Sequence, residues 1–277
     1  IMVFSKTAVK ILLIIFCISA AQKLTAQGKV YAVVVAISEY QQTNLNLPAT
    51  TLNDADSMYS YLTSATGANT PAENIKLLKN TEATKANIKA AITEYFARAT
   101  EKDKVIFFFS GHGAEGAFST YDLKVKGEIN GKLDLENALT HEEVKEAFKN
   151  SKASMKLCFA DACHSGSIIK NENSTARKEV FANSIKKLSM NQKSLVIMMS
   201  SRASESSAVS PELKASYFAF NLIEGLKGKG DLNKDKKITI KELYSYVRTR
   251  VRAFTKAAQT PVAFGRFNGD DVIVDLK

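Results

Sequence analysis

The sequence predicts an α/β protein in which a mainly parallel sheet is covered by helices on both faces. Short apolar runs rich in β-branched and aromatic residues alternate along the chain with segments of helical periodicity. The runs are almost continuously apolar, as expected for strands that are buried on both sides. Strands that alternate with helices favour a parallel sheet, and ligands bind such sheets beyond the carboxyl ends of the strands.

Strands are predicted where apolar runs end in polar or turn residues. The first run, VYAVVVAI, is apolar throughout. In chain order the predicted strands span residues 30–37, 74–78, 105–109, 155–160, 195–199 and 271–275.

Helices are predicted where apolar residues recur at helical spacing, such as Ile88, Ile92 and Phe96. The predicted helices span residues 53–63, 84–99, part of 134–150, 213–226 and 239–255. The first begins with Asn53 or Asp54 near its cap. Thr140 is a candidate cap of the third helix, with Glu143 in the capping-box position. Residues 170–194 are polar and weakly patterned, which predicts an exposed connection.

The composition indicates a globular protein with a basic charge balance. The chain has 277 residues, an apolar fraction of 45% and a formal net charge of +10. A chain of this length can bury a full core as one large or two small domains. Because no arginine-rich block accompanies the charge, we expect no nucleic-acid partner.

The first 26 residues have the pattern of a secretory signal peptide. Lys6 and Lys10 precede an apolar run at residues 11–18, and small residues follow at 19–21 and at Ala26. The apolar run is too short for a comfortable membrane span. We therefore expect an exported protein, periplasmic or extracellular, with no stable membrane span in the mature chain. The alternative is an uncleaved N-terminal membrane anchor.

Two strings carry the candidate chemistry. FFFSGHG at residues 107–113 ends an apolar run in His112, and CFADACHSG at residues 158–166 ends another in Cys163, 51 positions later. A thiol needs a nearby base to become a nucleophile, and two neighbouring strand ends could bring the pair together. We predict Cys163 as the nucleophile and His112, bracketed by glycines, as the base or acid. The backbone N–H groups of Gly113 and Cys163 would then stabilise the oxyanion.

The residues around these two have simpler interpretations. Cys158 lies within an apolar run and is expected to pack as a small hydrophobe. His141 is interpreted as a solvated residue at a helix start, and His164 as structural, because adjacent side chains usually diverge. Asp161, two positions before Cys163, could orient the histidine or line a pocket for a cationic side chain, and the residues alone leave both open.

A calcium-like signal lies near the C-terminus. From Asp231 to Glu242, oxygen-bearing residues fall at positions 1, 3, 5, 9 and 12 of an EF-hand loop. The candidate metal ligands are Asp231, Asn233, Asp235 and Glu242. Lys236 replaces the glycine of position 6, and the alternative is an acidic turn that caps the following helix. We predict no required cofactor, with calcium as an optional ligand of this loop.

The chain resembles the caspase-like cysteine peptidases, in particular bacterial metacaspases. The separation of His112 and Cys163 also matches the roughly 50 residues typical of caspases. The matching pieces lie in family order and are YAVVVAISEY at 31–40, LNDA at 52–55, SGHG at 110–113, DACHSG at 161–166, SSRA at 200–203, the 231–242 loop and QTP at 259–261.

The resemblance implies a caspase-like α/β/α sandwich with a mostly parallel central sheet of about six strands. It implies a His112–Cys163 dyad, and a primary specificity pocket lined by Asp54, Ser110 and Asp161 that selects arginine or lysine. Residues 27–277 would form the peptidase domain, with a large-subunit-like region at 27–170, a connecting segment at 171–194 and a small-subunit-like region at 195–277. Arg177 and Lys178 in the connection are candidate self-cleavage points.

The chain departs from the family at the positions of activating calcium. Asp122 could match one of the family's calcium ligands, but Thr140 and His141 stand where paired acids are expected, and Lys170 lies where another acid would be sought. The resemblance therefore gives weak support for calcium activation.

The resulting prediction is an exported cysteine endopeptidase that cleaves peptides or proteins after arginine or lysine, with self-processing as a further expectation. One alternative is a catalytically silent caspase-like binding or scaffold module. Another is a thiol hydrolase or transpeptidase with a non-peptide substrate.

Overall fold

A central sheet runs through the protein, with helices packed on both of its faces. The computed structural model describes residues 28–114, 116–129, 132–164, 194–202, 205 and 207–276. The strands are β1 Val30–Ala36, β2 Ile75–Lys79, β3 Lys104–Ala114, β4 Ala117–Phe118, β5 Lys124–Ile129, β6 Lys132–Glu136, β7 Leu139–Thr140, β8 Met155–His164, β9 Leu195–Met199, β10 Val209–Ser210, β11 Ala215–Ser216, β12 Lys237–Thr239, β13 Val262–Arg266 and β14 Val272–Asp275.

The α-helices are shorter than some of the predicted ones but occur in the predicted order. They are α1 Thr50–Thr63, α2 Lys85–Ala97, α3 His141–Asn150, α4 Tyr217–Glu224 and α5 Ile240–Phe254. A five-residue π-helical turn, Gly225–Lys229, follows α4.

The main path of the sheet has the strand order β13-β9-β8-β3-β1-β2. The pairs from β9 to β2 are parallel, and β13 joins β9 in the antiparallel direction at one edge. The two-residue strands β4 and β7 extend the sheet beside the end of β3. The prediction of a mostly parallel sheet of about six strands is therefore confirmed. The edge strand β13 was not predicted, because its sequence VAFGR is only partly buried and lacks a strong pattern.

Alternate residues of each buried strand face opposite helical layers, which explains the continuous apolar runs. On one face Val33 and Phe107 belong to a core completed by α2 and α3. On the other face Val34 and Phe108 belong to a core completed by α1, α4 and α5. The result is a three-layer α/β/α sandwich.

Capping side chains fix the helix starts that bear on the site. Thr140 and Glu143 form the predicted capping box of α3. A second capping box joins Thr239 to Glu242 at the start of α5. Ser216 caps α4, whose predicted start at residue 213 is wrong because residues 209–216 form the β10–β11 hairpin instead.

Two sequence interpretations need correction. Helix α1 begins at Thr50, so Asp54 lies inside the helix and not near its cap. His141 is 3% exposed and packs edge-on against Phe118 with 4.8 Å between ring centroids, so it is a buried residue and not a solvated one. Phe118 of the short strand β4 covers the start of α3. This contact between distant residues is not evident from the local sequence.

The predicted signal peptide, residues 1–26, lies outside the described residues. So do residues 165–193, which include Lys170, Arg177, Lys178 and all of the predicted connection at 171–194 except its last residue. Within the part of the chain that the structure describes, no helix has the length and apolarity required to cross a bilayer.

Candidate active site

The two strings singled out in the sequence lie on adjacent parallel strands. In the β3–β8 register His112 is opposite Cys163, and Ser110 is opposite Asp161. Both strands continue beyond their predicted ends, β3 to Ala114 and β8 to His164. Tertiary structure thus brings the backbones of the predicted dyad side by side at the carboxyl edge of the sheet, where α/β proteins place their ligands.

The imidazole of His112 is held from one side by a backbone carbonyl. Its Nε2 lies 2.9 Å from the carbonyl oxygen of Leu45, in the loop after β1. Because a carbonyl can only accept, Nε2 must carry the proton in this contact, and neutral His112 keeps its lone pair on Nδ1. Burial lowers the pKa of His112 below its ordinary 6.5, although the Leu45 contact opposes that change. The ring is therefore a neutral base at physiological pH.

Tyr40 holds the backbone of the same histidine. Its hydroxyl accepts a 2.9 Å hydrogen bond from His112 N, and the two ring centroids are 5.4 Å apart. A Cβ at Gly111 would lie 2.9 Å from the Tyr40 hydroxyl oxygen, so only glycine leaves room for this contact. The glycine before His112 is therefore explained by the close approach of a tyrosine.

Asp54 reaches the same edge from helix α1. Its Oδ2 accepts a 3.0 Å hydrogen bond from Ser110 Oγ, and its Oδ1 accepts one of 2.9 Å from the backbone N–H of Ser216. The residue is 1% exposed. Burial raises the pKa of the Asp54 carboxyl, and the charge of nearby Asp161 raises it further.

Asp161 completes a buried acidic pair. Ser207 Oγ donates a 2.6 Å hydrogen bond to Asp161 Oδ1, while Oδ2 is buried and has no hydrogen-bond partner among the described residues. Burial raises the pKa of the Asp161 carboxyl, and the hydroxyls of Ser207, Ser216 and Ser200 oppose that rise. Two carboxylates in electrostatic contact, one with an unpaired oxygen, form a site that a cation would stabilise.

A glutamine holds the segment that carries Ser207. Gln259 is 1% exposed, and its Nε2 donates to the carbonyl oxygen of Ser200 at 2.8 Å and to Ser207 Oγ at 3.3 Å. Its Oε1 accepts from the backbone N–H of Ala208 at 2.9 Å. Glu205 adds a second link by accepting a 2.6 Å bond from the N–H of Thr260.

The sequence from residue 29 to residue 270 matches the family model of the caspase domain. The chain belongs to the caspase domain family. Membership supports the cysteine-peptidase class predicted from the two strings.

Solved structures agree with this assignment at the level of the fold. The caspase-domain protein is similar to caspase-1 from Spodoptera frugiperda, with 14% identity and a TM-score of 0.63 over 91% of each chain. It is also similar to the crystal structure of protein GSU0716 from Geobacter sulfurreducens, with 16% identity and a TM-score of 0.58 over 87% of this chain and 95% of that one. A comparison with curated protein sequences finds no match.

Several side chains considered as calcium ligands in the caspase-domain protein make hydrogen bonds within the protein. Asp122 Oδ1 accepts a 2.8 Å bond from the N–H of Lys85 at the start of α2. In the EF-hand-like loop both carboxylate oxygens of Asp231 accept loop N–H groups, and Glu242 Oε2 accepts from Thr239. Lys236 adopts φ 65°, the conformation that glycine gives at this position.

No group of three or more His, Cys, Asp or Glu side chains is arranged to hold a metal ion among the described residues. Calcium at Asp231, Asn233, Asp235 and Glu242 therefore stays a prediction of the sequence pattern.

Sequence reasoning missed the residues that position the site from a distance. Leu45 acts through its carbonyl group, which no side-chain motif reveals. Ser207, Ser216 and Gln259 come from segments far along the chain. Tyr40 and Gln259 lie in the sequence pieces that resemble the family, and this was the signal by which they could have been found.

Proposed function

We propose that this protein is a cysteine endopeptidase of the metacaspase type that hydrolyses peptide bonds after arginine or lysine. The observation that carries the proposal is the register that sets His112 opposite Cys163, with His112 Nε2 occupied by Leu45. When Nε2 carries the proton and donates it to a carbonyl oxygen, the lone pair of Nδ1 is available to accept the proton of a thiol.

The proposed reaction uses this tautomer directly. His112 Nδ1 takes the proton of the Cys163 thiol, and the sulfur attacks the scissile carbonyl carbon. The N–H groups of Gly113 and Cys163 would stabilise the oxyanion, and the imidazolium gives its proton to the leaving amine. Water then attacks the thioester with His112 as base, which releases the carboxylic acid and restores the thiol.

The acidic pair supports a basic residue before the cleaved bond. Asp54 and Asp161 are 1% and 5% exposed, so neither charge is solvated by bulk water. A guanidinium or ammonium group would supply the missing partner of Asp161 Oδ2 and relieve the repulsion between the carboxylates. An acidic side chain could do neither, and a neutral amide could donate a hydrogen bond but could not relieve the repulsion.

The test is hydrolysis of fluorogenic peptides that end in arginine, lysine, glutamine or aspartate. We expect turnover of the arginine and lysine peptides alone, and its loss in Cys163→Ala and His112→Ala. Cys158→Ala is the matched control, because Cys158 is fully buried on the same strand and should retain activity. Equal turnover by Cys163→Ala and the unaltered protein would refute the proposal.

The catalytically silent module stays the second candidate, since similarity to GSU0716 at 16% identity shows only a shared fold. Labelling with an arginyl chloromethylketone separates the two. A covalent adduct on Cys163 supports the peptidase. A folded protein that is unlabelled with and without calcium supports the silent module.

The remaining features of the proposal rest on sequence patterns. We propose export through residues 1–26, no required cofactor, and self-cleavage at Arg177 or Lys178. Intact mass measurement of the unaltered protein beside Cys163→Ala tests self-cleavage, because only an active thiol would cut the chain at Arg177 or Lys178.

A further inference from the structure

A cavity of about 470 Å³ opens at the edge of the sheet opposite the candidate active site. Its lining includes the first residues of β1 and β3, parts of α1 and the π-helical turn, and strand β14. This volume is within the range of small-molecule sites, roughly 300–1,000 Å³. Neither the candidate dyad nor the acidic pair contributes to it.

The strand register gives the cavity a polar mouth and an apolar interior. Lys104 is the first residue of β3, and Ile106 follows on the same face of the sheet. Leu157 lies opposite Ile106, and Phe159 lies two residues further in. From the level of Lys104 to that of Phe159 is four residues, about 13 Å of strand.

Polar groups with unused hydrogen-bonding capacity line the same cavity. The Lys104 ammonium donates one hydrogen bond, 2.6 Å long, to the carbonyl oxygen of Ile273, and its other two protons have no acceptor among the described residues. Tyr61 is 4% exposed and also lines the cavity. Its hydroxyl can donate a hydrogen bond to a bound ligand.

The charge of the lining is positive. Lys29 and Lys104 face a single acid, Asp275, among the lining residues. Burial lowers the pKa of Lys104, and Asp275 opposes that change. An anion at the mouth would replace the solvation that the Lys104 ammonium loses through burial. The apolar walls would accept a hydrocarbon tail.

We propose that this cavity is a binding site for a single-chain amphipathic carboxylate, with its tail against Ile106, Leu157 and Phe159 and its carboxylate at Lys104 and Tyr61. The proposal does not depend on peptidase activity, because every residue named lies outside the candidate active site. It assigns the protein a second ligand site at the opposite edge of the sheet.

The probe is decanoate below its micellar concentration, with decanol as the uncharged analogue and acetate as the analogue without a tail. Calorimetry suits the measurement, because the chain has no tryptophan to report binding by fluorescence. We expect saturable binding of one decanoate per chain and none of acetate.

Three variants test the placement of the carboxylate. Lys104→Met should weaken decanoate about tenfold or more and leave decanol unchanged, because only the charged head uses the ammonium. Tyr61→Phe should weaken decanoate several-fold with little change in melting temperature, since only the hydroxyl is lost and the ring is kept. Tyr59→Phe, on the same helix but outside the lining, is the matched control and should bind like the unaltered protein.

The proposal is overturned if the folded protein shows no saturable decanoate binding. It is also overturned if Lys104→Met, folded by its melting curve, binds decanoate as tightly as the unaltered protein.

Discussion

Ser207 donates a 2.6 Å hydrogen bond to Asp161 although the two residues are 46 positions apart. The bond occupies Oδ1, and Oδ2 is buried without a hydrogen-bond partner among the described residues. Under the proposed function, this oxygen would accept a hydrogen bond from the basic side chain of a substrate. The neighbouring carboxyl of Asp54 is in contrast bonded at both oxygens. This asymmetry motivates the predictions on substrate charge and on stability.

Asp54→Asn should stabilise the free protein at pH 8 and reduce hydrolysis of arginine peptides. Burial, then the charge of Asp161, raises the pKa of Asp54 from 3.8 to about 7. A raised carboxyl pKa means that the folded state disfavours the ionised carboxylate. Replacing Asp54 by a neutral residue should therefore stabilise the folded protein at pH values above about 7. The gain should be on the order of 2 kcal/mol, because one pKa unit corresponds to about 1.4 kcal/mol and the pair shares the shift.

Thermal unfolding from pH 4 to pH 8 measures this effect. The difference between variant and unaltered protein should shrink as the pH falls from about 7 toward 4, because Asp54 is then protonated in the folded state and the pH approaches the ordinary pKa of 3.8 that applies to the unfolded chain. Asp56→Asn on the same helix is the control, since the Asp56 side chain is 52% exposed and should change stability little. A stability difference that is constant with pH would contradict the assignment.

The pH profiles of kcat and kcat/KM should separate on the acid side. The pKa of His112 is lowered by burial, so the acid limb of kcat should lie below the ordinary 6.5. For arginine peptides kcat/KM reports the free enzyme, in which the acidic pair must also be ionised to bind a cation. Its acid limb should therefore lie at higher pH than that of kcat. If the acid limbs of kcat and kcat/KM coincided, the acidic pair would not be the binding site for the cation. A kcat limb above pH 6.5 would contradict the role of His112 as the base.

Tyr40→Phe should lower kcat about tenfold with little change in KM. The substitution removes the acceptor for His112 N and leaves that buried N–H unpaired, which costs about 1–3 kcal/mol. Because Tyr40 acts through the histidine backbone, substrate binding should be spared. Steady-state kinetics on an arginine peptide measure the split.

Gly111→Ala tests the same contact from the other side. The added methyl would lie 2.9 Å from the Tyr40 hydroxyl, so activity should fall as it does in Tyr40→Phe. The double variant should lose less activity than the sum of the two single losses, because Tyr40→Phe removes the hydroxyl that the methyl of Gly111→Ala would displace. Full additivity would show that the two residues do not act through one contact.

Gln259→Glu should raise KM for arginine peptides about tenfold and affect kcat less. The substitution replaces the Nε2 donor with an oxygen that faces the Ser200 carbonyl, and this displaces the segment that carries Ser207. Gln259 is thus a positioning residue for Asp161. The decisive measurement is KM for the arginine peptide, which a general loss of folded protein would leave unchanged. An unchanged KM would show that Gln259 does not support the pocket.

Much of the fold could be predicted because burial on both faces leaves a strong local signature. The runs at 30–36, 105–109, 155–160 and 195–199, which became parts of β1, β3, β8 and β9, are apolar except at Lys156. The capping box of Thr140 and Glu143 was readable for a similar reason, since its partners are three residues apart. Exposed pairs such as β5 and β6 escaped prediction, because little apolar area is buried there.

The sequence by itself determined the α/β class, the order of the main elements, and the two strings that end in His112 and Cys163. These are local properties of residue type and period. Only the tertiary structure decided which atoms meet: Leu45 with the His112 imidazole, Tyr40 with its backbone, and Ser207 with Asp161. Such contacts join residues far apart in the chain, and they are fixed by strand register and helix packing, which no short segment encodes alone.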